Sequence, residues 1–153
     1  MQGKYFDEFS VDDVFVTPGR TITETDVVMF AAMTGDYNQL HTNKEYMKHS
    51  QFGQRLVHGL LGLSISHGLL FRLGILEGTA IAFLAIDSWQ FKAPLFFNDT
   101  IRVRVRVTEA RASKSKPDRG IVTFFTEVLN QNDTVVQSGY QRLMMKRRVP
   151  ADG

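Results

Sequence analysis

The stretch from Leu56 to Leu73 sets the strongest limit on what this chain can fold into. Wound at helical pitch, Leu60, Leu61, Leu63, Ile65, Leu69, Leu70 and Phe71 leave no wholly polar side, so a helix here must be surrounded rather than laid on a surface. His58, Ser64, Ser66, His67 and Arg72 interrupt the run, which keeps it short of the ~18 uninterrupted apolar residues of a membrane span. It reads as a buried helix from His58-Gly59 to near Gly74, and the rest of the chain has to supply its wrapping.

The second half supplies it. Ala80 to Lys92, Thr100 to Ala110, Gly120 to Gln131 and Thr134 to Lys146 have strand length and composition. Pro94 with Asn98-Asp99, then Ser115 to Gly120, then Asn130 to Asp133 are the turn signals between them. A buried helix followed by consecutive antiparallel strands predicts an α+β arrangement, a meander curled around the helix. From Ile101 to Val107 the pattern alternates strictly, which sends Arg102, Arg104 and Arg106 to one face and the aliphatic residues to the other. One face of the sheet therefore meets water or an anion.

Upstream, Thr23 to Met33 predicts a short helix. Thr23 caps it, Asp26 completes a capping box, Val27, Phe30, Ala31 and Met33 form its apolar stripe, and Gly35 is a left-handed stop. Asp36 to Thr42 is expected as an ordered loop and Asn43 to His49 as another helical turn.

Composition narrows the chemistry. A chain of 153 residues suits one domain, 1–153 with a core of about 9–147, and the tail after Arg148 reads as loose. Lys plus Arg number 18 against 16 Asp plus Glu, too small an excess to argue for nucleic-acid binding. The absence of cysteine excludes disulfides, a thiolate nucleophile and Cys-ligated zinc or iron–sulfur centres. Met1 to Ser10 lacks the apolar stretch of a secretory signal, so the expected location is cytoplasmic, without membrane attachment. No Walker loop, dinucleotide fingerprint, Gly-x-Ser-x-Gly elbow or His-Glu-x-x-His motif occurs.

Among the remaining residues, Asp36 and His41 in Gly-Asp-Tyr-Asn-Gln-Leu-His could be aimed into one pocket by a compact turn and act as an acid/base pair. The same residues also suit an ordinary helix-ending turn. His58-Gly59 places a glycine where free helix amides favour developing negative charge, an oxyanion hole in potential. Ser64, Ser66 and His67 need polar partners inside their helix and could meet substrate or simply the backbone. Arg102, Arg104, Lys114 and Lys116 could contact phosphates, or form a solvated face. Phe91, Pro94, Phe96 and Phe97 would pack as a strand end, or line a hydrophobic tunnel.

Phe30-Ala31-Ala32-Met33-Thr34-Gly35-Asp36-Tyr37-Asn38-Gln39-Leu40-His41, followed by Phe52-Gly53-Gln54-Arg55-Leu56-Val57-His58-Gly59, closely resembles the hydratase motif and helix start of MaoC-like, R-specific enoyl-CoA hydratases. The likeness continues more loosely through Phe91-Lys92-Ala93-Pro94 and Asn98-Asp99-Thr100, and covers about Phe9 to Lys146. It implies a hot-dog fold and interconversion of trans-2-enoyl and R-3-hydroxyacyl thioesters. Asp36 and His41 would be the catalytic pair and the Gly59 amide the oxyanion donor, with Asn38, His58, Ser64 and His67 beside the substrate. It also implies a homodimer joined at sheet edges, a coenzyme A or acyl-carrier thioester as substrate, and no metal or redox cofactor. The chain departs from the family pattern at Gln39, where proline is usual, at Met47, where a small residue is usual, and at His67, often serine. The rival readings are a hot-dog thioesterase, with Asp36 activating water against the carbonyl carbon, and a non-catalytic acyl-thioester-binding module.

Overall fold

The computed structural model describes residues 2–148, so the tail after Arg148 lies outside the described residues. Two short strands, β1 (Val14–Val16) and β2 (Arg20–Thr21), come first, followed by helices α1 (Glu24–Thr34), α2 (Gln39–Thr42), α3 (Lys44–Lys48) and α4 (Gly59–Arg72). Four long strands complete the chain: β3 (Ala80–Phe91), β4 (Thr100–Ala112), β5 (Arg119–Leu129) and β6 (Val135–Lys146). The six strands form an antiparallel sheet in the order β1-β4-β5-β6-β3, with β2 also on β4. The sheet carries α4 on its inner face, the arrangement that the hot-dog resemblance implied. No helix among the described residues is long and apolar enough to cross a membrane.

Alternation along β4 builds this core. Ile101, Val103, Val105 and Val107 are fully buried, and Leu69 and Leu70 of α4 and Phe124 of β5 belong to the same cluster. Each such side chain contributes about 1.5–3 kcal/mol when removed from water. The arginines on the other face are held by carboxylates: Arg102 by Asp133 at 2.7 Å, Arg104 by Glu127 at 2.9 Å and Arg106 by Asp12 at 3.4 Å. Neighbouring strands and loops thus supply the anions.

The expected meander needs a correction. β3 does not pair with its successor β4 but with β6 at the opposite side of the sheet. The connection from β3 to β4 leaves the sheet at Pro94 and runs against the segment before α4, where Leu56 pairs with Phe96 and the Val57 amide donates to the Leu95 carbonyl at 2.8 Å. That excursion prevents a hairpin. A second correction concerns α4, which is not surrounded: Leu61, Gly62, Ser66, Leu69 and Leu70 are buried, while Leu60 and Phe71 stand open.

The capping of α1 is as the sequence predicts. Thr23 accepts the Asp26 amide, Asp26 accepts the Thr23 amide at 2.8 Å, and Gly35 closes the helix at φ 78°. Met33, expected on the apolar stripe, is 78% exposed, because α1 packs through Val27, Phe30 and Ala31. Residues Asp36 to Thr42, expected as a loop, include the single turn α2, which the Asn38 side chain caps at the Leu40 amide (3.0 Å). Gln39 takes the first position of that turn, where an amide has no helical partner and proline is also tolerated, so this departure leaves the local backbone intact.

Candidate active site

The α1–α2 turn and the start of α4 meet at a cleft of about 340 Å3, lined by His41, Phe52, Leu56, Gly59, Phe91 and Gln137 among others. Gly35 reverses the chain after α1, and Asn38 then winds α2 so that His41 faces the cleft. The Asp36 carboxylate is exposed on the preceding turn, where Oδ1 accepts the Asn38 amide at 3.3 Å. Asp36, His41 and His58 each bring a side-chain ligand atom within 4.8 Å of the others.

Two backbone carbonyls fix the proton positions on the histidines. His41 Nδ1 lies 2.7 Å from the Leu56 carbonyl oxygen, which can only accept. Neutral His41 therefore carries its proton on Nδ1 and keeps the Nε2 lone pair for the cleft. His58 Nε2 lies 3.0 Å from the Asp36 carbonyl and must donate to it. His58 itself is buried, its ring stacked on His41 with centroids 3.8 Å apart and edge-on to Phe30 at 4.9 Å. Burial pushes the His41 pKa below its ordinary 6.5; the Leu56 carbonyl pulls it up, His58 pushes it further down and Asp36 pulls it up. His41 is thus neutral at neutral pH, with a basic nitrogen directed away from the protein's own acceptors.

The same bonds bear on metal binding. His41 Nδ1 and His58 Nε2 are committed to carbonyls, and His58 Nδ1 is sealed from solvent without a partner. What is left uncommitted is one imidazole nitrogen of His41, which lines the cleft, and the exposed Asp36 carboxylate beside that ring, a set suited to moving a proton rather than to enclosing an ion.

Gly59 opens α4, and the first bond inside that helix runs from the Gly62 amide to the His58 carbonyl at 3.1 Å. The Gly59 amide precedes the ladder and sits at the positive end of the helix dipole. A side chain there would crowd the corner, since a Cβ would come within 2.9 Å of the Phe91 ring and push it aside. Buried Gln137 steadies this corner: its Nε2 donates to the Gly59 carbonyl at 3.1 Å, and its Oε1 accepts Trp89 Nε1 at 3.2 Å. Sequence reasoning missed Gln137 and Trp89. Gln137 is one of several polar residues on β6, with Ser138 and Gln141, so nothing local singled it out.

The other expected site residues are placed less directly. Asn38 caps α2, and His58 lies behind His41, so substrate is reached through His41. Ser64 turns its hydroxyl back to the Leu60 carbonyl at 2.8 Å and lines a separate hollow with Arg20 and Arg72. Ser66 is buried and bonds the Leu63 carbonyl at 2.6 Å. His67 rests edge-on against Phe83 of β3 at 4.9 Å, its Nδ1 buried without a partner and its pKa lowered by burial. Met47, the bulky departure, is fully buried under α3.

The basic residues are not brought to the cleft within one protomer. Arg102 and Arg104 are engaged on the sheet face turned away from α4. Lys114 and Lys116 sit in the β4–β5 connection, beside the end of the sheet where Gly120 pairs with Met145. The cleft lies at the other end, where Phe91 pairs with Gln137, ~26 Å along β6 at roughly 3.3 Å per residue.

Comparison with known proteins bears on this geometry. The chain is 38% identical over 102 residues to Protein MaoC of Klebsiella aerogenes, which covers 67% of this chain and only 30% of that longer protein. It is 32% identical over 114 residues to an (R)-specific enoyl-CoA hydratase of Aeromonas caviae, covering 74% of this chain and 79% of the hydratase. A solved structure named a monoamine oxidase regulatory protein, from Archaeoglobus, superimposes with a TM-score of 0.88 at 31% identity, over 97% of this chain and 98% of that one. A family profile described as "MaoC like domain" matches residues 8–128, a span that holds the Asp36–His41 turn, the start of α4 and the connection at Pro94. The chain belongs to the MaoC-like domain family of hydratases and dehydratases.

Proposed function

We propose that this protein adds water to trans-2-enoyl thioesters and, in reverse, dehydrates R-3-hydroxyacyl thioesters, the R configuration being that of the hydratases it resembles. The observation that carries the reading is a cleft lined by His41, with a free Nε2, and by Gly59, whose helix amide is unpaired, with the Asp36 carboxylate close beside the His41 ring. A water held by Asp36 and His41 loses a proton to His41 Nε2 as its oxygen bonds to C3. The electron pair of the C2–C3 double bond shifts toward the thioester oxygen, where the Gly59 amide meets the developing enolate. The proton then returns to C2, so atoms and charge balance without a metal or redox cofactor.

Substitution tests this assignment. Asp36→Asn and His41→Ala each lower turnover by about 100- to 10,000-fold with the fold intact by circular dichroism. Full activity in either variant would exclude the pair.

A dimer completes the proposal. Among the described residues no strand pairs with the outer side of β3, and Ile81, Phe83, Leu84 and Ile86 stand exposed along it. A second copy pairing at this edge would cover them and enclose the acyl group beside α4. The regulatory name of the Archaeoglobus structure favours one rival reading, a non-catalytic acyl-thioester-binding module. In that case the cleft binds thioesters and the substitutions change no chemistry.

A further inference from the structure

A hollow of about 610 Å3 adjoins the cleft, with Lys44, Lys48, Arg55, Phe97, Glu24 and Glu45 around it, and the reaction leaves it unused. It is aligned with the cleft by the short ladder before α4. Leu56 pairs with Phe96, so that register sets Arg55 opposite Phe97 on one side of the bridge and Val57 opposite Leu95 on the other. The cleft takes the Val57 to Gly59 side and the hollow takes the Gly53 to Arg55 side. Arg55 lies ~13 Å from Gly59 along this extended segment, at roughly 3.3 Å per residue.

We propose that the hollow holds the phosphate-bearing nucleotide of a coenzyme A thioester whose acyl group occupies the cleft. The inference rests on the reading above only for the thioester. Arg55 is set in advance, its side chain only 19% exposed, bonded to Glu24 at 2.9 Å and lying over the Phe97 ring at 4.5 Å. A guanidinium has five donors, and this pair leaves most of them free. Lys44 and Lys48, four residues apart on α3, line the same hollow with exposed side chains. Lys48 touches Glu45 only at 3.9 Å, and Lys44 has no carboxylate within ion-pair distance among the described residues.

Three cations thus line a concavity that the segment before α4 sets beside the cleft. Glu24 is held by Arg55 while Glu45 stays exposed, 3.9 Å from Lys48, so a compact phosphate that seats among the cations suits the site better than the acidic face of a carrier protein, which would meet both carboxylates. Arg102 and Arg104 lie on the far face of the sheet, away from the cleft and the hollow.

The test is calorimetric titration of the whole protein with butyryl-CoA and with butyryl-pantetheine, in the wild type and in Lys44→Gln/Lys48→Gln. Both changes are on exposed side chains and spare the buried Met47 between them. The wild type is expected to bind the CoA thioester at least about tenfold more tightly than the pantetheine thioester, and the variant to bring that ratio close to one. An unchanged ratio in the variant, or no preference in the wild type, overturns the assignment. So does a variant that keeps the ratio but loses affinity for a butyryl-loaded acyl carrier protein, which would make the hollow a protein dock. Neither ligand has a double bond, so the outcome is independent of turnover. A ratio that behaves as expected, in a protein that hydrates no enoyl thioester, would keep the nucleotide site and remove the hydratase reading.

Discussion

The Asp36–His58 corner and the β3 edge lie on two sides of Gly59, and they differ in how complete one protomer makes them. At the corner, His41 and His58 each give an N–H to a carbonyl, and the two rings support one another. Along β3 the outer backbone has no strand beside it among the described residues, and apolar side chains stand open on a strand of 12 residues. The opposite edge of the sheet ends on β1, a strand of only 3 residues that offers little to pair with. In the proposed reaction the groups that move the proton are therefore assembled within one chain, whereas enclosing the acyl group would take a second surface at β3.

Breaking the open side should have the largest effect. Phe83→Lys with Ile86→Lys charges the edge of β3 and is expected to give a monomer by sedimentation, with turnover lowered about 100-fold. An active monomer would detach the edge from function. The seam between the two regions is tested by Gly59→Ala, which retains the amide but forces the Phe91 ring aside. A loss of roughly 10- to 100-fold in kcat/KM is expected, with the dimer preserved.

The closed side can be sharpened by pH. The proposed role makes His41 a neutral base and burial depresses its pKa, so kcat/KM should hold its plateau to below pH 6.5 and fall only as His41 protonates. An acid limb above 6.5 would contradict the burial of that ring. Stability follows the same sign. The unfolded chain takes up protons on His41 and His67 near 6.5 that the native state resists, so their contribution is present above 6.5 and declines as pH falls through their native values. The smallest effect belongs to the finished part of the sheet. Arg104→Ala removes a half-exposed partner of Glu127 and should cost under about 1 kcal/mol in chemical denaturation.

The same contrast explains what could be read from the sequence. Local signals gave the capping box at Thr23, the stop at Gly35, the span of α4 and the four long strands, because capping and two-residue alternation act over a few positions. The pairing of β3 with β6 joins residues far apart in the chain, and no local pattern encodes it. Asp36, His41 and Gly59 were visible as a motif. The orientation of His41 was not, because it depends on the carbonyl of Leu56, and a carbonyl carries no residue identity. Gln137 reaches Gly59 from the last strand and was hidden for the reason that hid the pairing. The Arg102–Arg106 face looked like an anion site only because Asp133, Glu127 and Asp12 are distant in sequence.

The central claim is that His41 and Asp36 direct water to C3 of an enoyl thioester, and one assay addresses it most directly. The wild-type protein is given trans-2-enoyl-CoA thioesters of increasing length, while loss of the conjugated double bond and release of free thiol are followed in the same sample. The account predicts loss of conjugation without thiol, with the product identified as the R-3-hydroxyacyl thioester. Thiol released in step with substrate loss would instead identify a thioesterase, and tight binding with neither change would identify a non-catalytic binding module.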